Sequence, residues 1–191
     1  MKPPVLFCFD YLDPLSHLLD LELSALSAEP DLQEVRRVPL ELRPPPSELL
    51  DPDDPTWSDR WHRAAAAGRS LGVSLRRPLF LPWTRKAHEL VLHAAEGGFA
   101  GPVHSALFRA ALIDGLDIGR VDVLVDIARD LGMDAQAAKA VLDVDRHAAA
   151  VAALGREARE AGATEPATLL GAGRALRGFH NRDALRTFLL R

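Results

Sequence analysis

The stretch VLFCFDYLDPLSHLLDLELSAL, Val5 to Leu26, is where the fold of this chain is decided. Val5 to Phe9 is an unbroken apolar run closed by Asp10. A run so short and so uniformly apolar predicts a parallel strand covered on both faces. Asp13-Pro14 then supplies a side-chain N-cap followed by proline at the first helical position, where the missing N–H has no partner in any case. Leu15, Leu18, Leu19, Leu21, Leu23 and Leu26 continue an apolar helix to about Ala28. The unit is strand, sharp turn, helix.

Glu34 to Leu42 alternates loosely through Val35, Val38, Leu40 and Leu42 and predicts a second strand, stopped by Pro44, Pro45 and Pro46. Residues 44–55, rich in proline and aspartate, form a connector. From Trp57 to about Gly162 the pattern is helical. Val103, Ala106, Leu107, Ala110 and Ala111 share one helix face, as do Val121, Leu124, Val125 and Ala128, and glycines at 97, 98, 115, 119 and 132 mark ends and turns. About five or six helices are expected there. Ala167 to Leu170 and Arg174 to Arg177 then read as a hairpin turning at Gly171-Ala172-Gly173, and a last helix spans Asp183 to Leu190. This order predicts an α/β fold with a small mixed sheet built by residues 1–46 and 160–191. Residues 47–159 form an all-helical insertion whose last helix packs back on the sheet.

With 191 residues, 48% of them apolar, there is ample material for one core. The 23 basic and 27 acidic side chains are interspersed, with a net charge of -4, so no basic stripe marks a nucleic-acid partner. MKPPVLFCFD lacks the apolar region of roughly 7 to 15 residues that a signal peptide needs, and no uncharged run approaches the roughly 18 to 20 that span a bilayer. A soluble, cytoplasmic protein with no membrane partner is expected. Cys8 is the single cysteine, so no CxxC exists and dithiol–disulfide chemistry within the chain is excluded.

FDYLDPLS, Phe9 to Ser16, resembles the strand-turn-helix of DsbA-type proteins, which reads FDFxCPxC, and of hydroxychromene-carboxylate isomerases, which reads DFxSPYS. PWTRKAH, Pro82 to His88, resembles a family segment with Asn-Thr and then Ala-His. Leu107 to Leu131, GATEPATLL and GFHNRDALRTFL resemble its later blocks, in the same order. The resemblance spans nearly the whole chain and implies a thioredoxin-like fold, a small-molecule substrate, glutathione as the cofactor to expect and a homodimer. It also implies that Pro166 is a cis-proline facing the first helix, an isomer that is accessible only before proline. The departures fall on the site. Asp13 and Ser16 stand at the two CxxC positions, Trp83 replaces Asn, and Glu165 replaces a small apolar residue before Pro166.

In the related isomerases and kappa-class transferases glutathione lies at the first helix's N-terminus, where free N–H groups favour a thiolate. Asp13 adds an anion there. At about 4 Å two unit charges repel by roughly 4 kcal/mol at an effective dielectric of about 20, or about three pKa units. Asp13 therefore either accepts the thiol proton as a general base or turns back to cap its helix while Ser16 faces the ligand. Tyr11, His17 and Trp83 are expected to line the same cleft, or else to be ordinary core and surface residues. Glu165 and Asp13 read either as a proton-sharing pair or as two solvated anions.

Cys8, mid-strand, is expected to be inert. His88-Glu89 to His93 misses the zinc-protease spacing by one residue, so the two imidazoles leave a common face and no metal is expected. Gly171-Ala172-Gly173 lacks the helix and third glycine of a dinucleotide site, so no nucleotide is expected. Two functional readings follow. One is a glutathione-dependent isomerase or transferase acting on a small electrophilic or aromatic compound. The other is a binding module, taking a peptide or small molecule, that keeps the fold and has lost its chemistry.

Overall fold

The computed structural model describes residues 3–171 and 173–190. Strand β1 (Val5–Phe9) runs parallel to β2 (Val35–Pro39), with Val5 opposite Val35, and helix α1 (Pro14–Leu26) makes the crossover that parallel strands require. Strands β3 (Thr168–Gly171) and β4 (Arg174–Arg177) add antiparallel neighbours, giving the order β2-β1-β3-β4. Both ends of the chain therefore build one mixed sheet, as the element order predicts. Between β2 and β3 lie α2 (Pro55–Leu71), α3 (Arg85–Glu96) and α4 (Ala100–Arg109), the last continued by a π-helical turn, Ala110–Asp114. They are followed by α5 (Val121–Asp130), α6 (Ala135–Asp143) and α7 (Ala148–Glu160), and α8 (Arg182–Leu190) comes last.

The pleat of β1 sorts its side chains. Val5, Phe7 and Phe9 enter a large core with Leu15, Leu19 and Leu23 of α1 and Phe188 of α8. That core continues without a break through Trp57 and Trp61 of α2, Leu90 of α3, Phe108 of α4 and Leu124 of α5. Leu6 and Cys8 point the other way, into a smaller core with Val38, Leu40 and Leu170, covered by Leu154 and Ala158 of α7. The last inserted helix thus packs back on the sheet. β3 crowds β1 so closely that a Cβ on Gly171 would stand 2.8 Å from Val5 Cγ2. Among the described residues no helix is long and apolar enough to cross a membrane.

Two local expectations change, and one falls on a residue that is not described. β2 stops at Pro39 and not near Leu42, because Leu42 N–H turns off the ladder to donate to Asp10 Oδ2 at 2.7 Å. Ala172, the middle of the expected hairpin turn, lies outside the described residues. The Glu165–Pro166 bond is trans; the cis bond of the described chain is Pro45–Pro46. The reversal expected of a cis-proline is made instead by Ala167, held at φ 55°. That left-handed conformation is strained for alanine. It is fixed from both sides, since Ala167 N–H donates to Ser16 Oγ at 3.0 Å and Ala167 O accepts from Gly178 N–H at 2.8 Å.

Candidate functional site

The N-terminus of α1 is where the turn after β1 delivers Asp13, and it is closed. Asp13 accepts from Leu15 N–H at 3.4 Å through Oδ1, and from Ser16 N–H at 2.9 Å and the Ser16 hydroxyl at 2.5 Å through Oδ2. Arg60, brought in by α2, grips the same carboxylate with Nε at 2.5 Å and Nη2 at 3.0 Å. Its remaining donors reach Glu165 Oε2 at 2.8 Å and the Pro166 carbonyl at 2.9 Å. Asp13 and Ser16 are both 0% exposed and Arg60 is 8% exposed.

In this arrangement the Asp13 side chain caps α1. Its carboxylate occupies the anion position that a helix N-terminus offers, and the N–H groups that would hold a thiolate are already bonded. Ser16 is fully committed too, donating to Asp13 and accepting from Ala167. Arg60 stays protonated: burial works against its charge, but the Asp13 and Glu165 carboxylates beside it outweigh burial and raise its pKa. A buried anion with a two-point guanidinium partner is the stable alternative to a reactive group in this position.

Asp13, Ser16, Glu165 and Pro166 do come together, joined by Arg60, whereas the other residues expected in that cleft go elsewhere. Tyr11 is buried against α4, its hydroxyl 2.9 Å from His104 Nδ1. His17 lies over Phe108, with ring centroids 5.1 Å apart, and burial lowers its pKa to about 4. Trp83 is 40% exposed, donates from Nε1 to Ser47 O at 3.0 Å, and sits in a surface depression with Leu49 and Phe80. Cys8 is buried mid-strand and its thiol is pushed up to about 12, chiefly by desolvation. Burial and the raised pKa both work against a reactive thiolate here.

A second concave site lies between the sheet edge and the insertion. A cavity of about 430 Å³ is lined by Phe9, Val91, Leu92, Ala100, Gly101 and Leu154, with Ser24, Arg37 and Ser105 among its polar groups. Tyr11, Arg37 and His104 of its wall belong to one polar cluster. Tyr11 meets His104 Nδ1, His104 Nε2 stands 3.3 Å from Asp20 Oδ1, and Arg37 Nε donates to that oxygen at 2.7 Å. Burial pushes Asp20 up, but His104 and Arg37 outweigh it and leave the carboxyl below its ordinary value. His88 also lines the cavity; among the described residues its Nε2 has no hydrogen-bond partner, and desolvation lowers its pKa to about 3. The cavity is of ligand size, apolar at its centre and polar in a few places.

Sequence reasoning missed Arg60, Asp20, His104 and Asp10. Asp10 is fully buried at the end of β1 and accepts from Leu12 N–H, Leu42 N–H and Thr84 Oγ1 at 2.9, 2.7 and 2.9 Å. It ties the turn to the segment after β2 and to the N-cap of α3. Desolvation pushes its carboxyl up to about 7. The signal for Asp10 was present: a carboxylate closing a fully buried strand needs donors.

A family model described as DSBA-like thioredoxin domain matches residues 4–189. An uncharacterized protein of Bacillus subtilis, YwbO, is 32% identical over 114 residues, 58% of this chain and 57% of that protein. The chain thus aligns with little more than half the length of that curated relative. Among solved structures, a probable DsbA oxidoreductase from Streptomyces coelicolor superposes with a TM-score of 0.79 at 23% identity, over 97% of this chain and 88% of that one. A 2-hydroxychromene-2-carboxylate isomerase gives 0.77 at 18% identity, over 97% and 92%. The cytosolic disulfide reductase DsbM of Pseudomonas aeruginosa, solved with GSH, gives 0.70 at 18% identity, over 98% and 97%. At these identities the structures share the fold.

Proposed function

The chain belongs to the family of DSBA-like thioredoxin domains, and we propose that within it this protein is a redox-silent small-molecule-binding protein. Its ligand is held in the cavity between the sheet edge and helices α3 and α4. The observation that carries this reading is the Asp13–Arg60 pair, which fills the place where the family's chemistry starts. Nothing in the 191 residues supplies a second thiol. The helix N-terminus is capped, and the Pro166 carbonyl and Ala167 N–H beside it are taken by Arg60 and Ser16. Glutathione, which DsbM binds, finds neither a free anion site nor free backbone groups here.

The cavity supports the positive half of the reading. Val91, Leu92, Ala100 and Leu154 suit an apolar body of about two fused rings, and Ser24, Arg37 and Ser105 suit a polar or anionic head. Anilinonaphthalene sulfonate has that chemistry and serves as the probe. Its fluorescence is expected to rise on binding the native protein and to fall on competition with naphthoate, whereas glutathione leaves it unchanged. A probe displaced by glutathione, or one that never binds, would overturn the reading.

A further inference from the structure

We propose that His93, Glu96 and His147 form a binding site for zinc or a similar borderline divalent cation. It lies on the seam between α3 and α7, and its three residues are not among those that line the cavity or hold Asp13. His93 and Glu96, three residues apart on α3, share one helix face. His147 is the residue before α7, and its backbone N–H is held by Glu89 Oε2 at 3.0 Å, which fixes the backbone that carries the ring. One ligand atom from each of the three lies within 4.8 Å of the other two. The two imidazoles approach opposite oxygens of the carboxylate, His93 Nδ1 at 3.5 Å from Glu96 Oε2 and His147 Nε2 at 3.6 Å from Glu96 Oε1. A tetrahedral ion with bonds of about 2.0–2.2 Å spaces its ligands by about 3.3–3.6 Å.

The second observation concerns the two imidazole nitrogens. His93 Nδ1 and His147 Nε2 are hidden from solvent, and among the described residues neither has a hydrogen-bond partner, although Glu96 lies beside both. Buried polar atoms without partners are rare because each costs about 1–3 kcal/mol. A cation satisfies both at once, and Glu96, with its side chain 49% exposed, gives it an entry path. The charges facing the trio are mixed. Arg146 approaches Glu96 at 4.0 Å, while Lys86 is drawn away to Glu89 and Asp145. Two imidazoles and one carboxylate suit zinc better than magnesium or calcium, and three protein ligands leave a fourth position open.

An ion here clamps α3 of the insertion to α7, the helix that covers β2 and the small core. The test is titration of the chelator-stripped protein with zinc against a chromophoric competitor, with cobalt(II) in parallel for its tetrahedral visible bands. One equivalent is expected to bind, with a raised Tm, and affinity is expected to fall at least tenfold in Glu96→Gln and in His147→Asn. Glu96→Gln is a half-exposed change that leaves the fold intact, so its loss of binding reports on the ligand alone. Absence of a stoichiometric site, or one equivalent bound equally well by both variants, would overturn the proposal.

Discussion

Arg60 Nε stands 2.5 Å from Asp13 Oδ1, and Arg60 Nη2 stands 3.0 Å from Asp13 Oδ2, on a carboxylate with no solvent exposure. Removing one partner strands the other charge in the interior. Asp13→Ala and Arg60→Met should each cost about 3–5 kcal/mol, while the double variant Asp13→Ala/Arg60→Met should recover much of that loss. Glu165→Gln, at a half-exposed carboxylate, should cost at most about 1 kcal/mol. Denaturant unfolding of the four variants measures this, and additive effects of the two partners would contradict it.

Stability should fall on acidification. His17 and His88 have folded pKa values lowered by burial to about 4 and about 3, so the unfolded chain takes up two protons below about pH 6.5 that the native chain refuses. Asp10 works in the opposite sense. Raised to about 7 by desolvation, it holds a proton in the native state that the unfolded chain gives up above about pH 4. Between about pH 4.5 and 6 the balance is one proton taken up on unfolding, a loss of about 1.4 kcal/mol per pH unit of acidification. Asp10→Asn removes the opposing group, and its unfolding free energy should fall about twice as steeply over the same window.

Gly101 lines the cavity on α4, and a Cβ placed there meets nothing within 4 Å. Gly101→Leu should therefore extend into ligand space from a Cβ that has open room around it. Loss of anilinonaphthalene sulfonate binding with an unchanged or higher Tm is the expected result. Retained binding would place the probe elsewhere.

Cys8 should resist thiol reagents in the folded protein. Its thiol is buried and pushed up to about 12, so the thiolate that would react is scarce at neutral pH. Labelling with a disulfide reagent should follow the rate of unfolding and become complete in denaturant. Rapid labelling of the native chain would show that the sheet opens at β1.

Much of the fold was legible in the sequence because its signals are local. The apolar run Val5 to Phe9, the Asp13-Pro14 cap and the helical periods each identify an element without reference to the rest. The site was legible in part. Asp13, Ser16, Glu165 and Pro166 meet as the resemblance implies, but their cation did not announce itself. Arg60 and Arg63 stand three residues apart in WSDRWHR, and only tertiary burial tells them apart. Tyr11 and His17 lie close to Asp13 in sequence yet diverge in space. Tyr11 is inside the turn and its hydroxyl meets His104 of α4, while His17 is rotated about 100° around the helix from Ser16. The His93–Glu96–His147 trio joins residues more than fifty positions apart, beyond the reach of any spacing rule.

The most direct test of the account is a pair of amide NMR titrations of the native protein, one with millimolar glutathione and one with anilinonaphthalene sulfonate. The account predicts that Leu15, Ser16 and Ala167 amides stay in place with glutathione, because Asp13 and Ser16 already hold them. It predicts that Gly101 and Ser105 amides shift with the second ligand. Saturable movement of Leu15, Ser16 and Ala167 with glutathione would contradict it, since the Asp13–Arg60 pair would then be an open site and not a closed one.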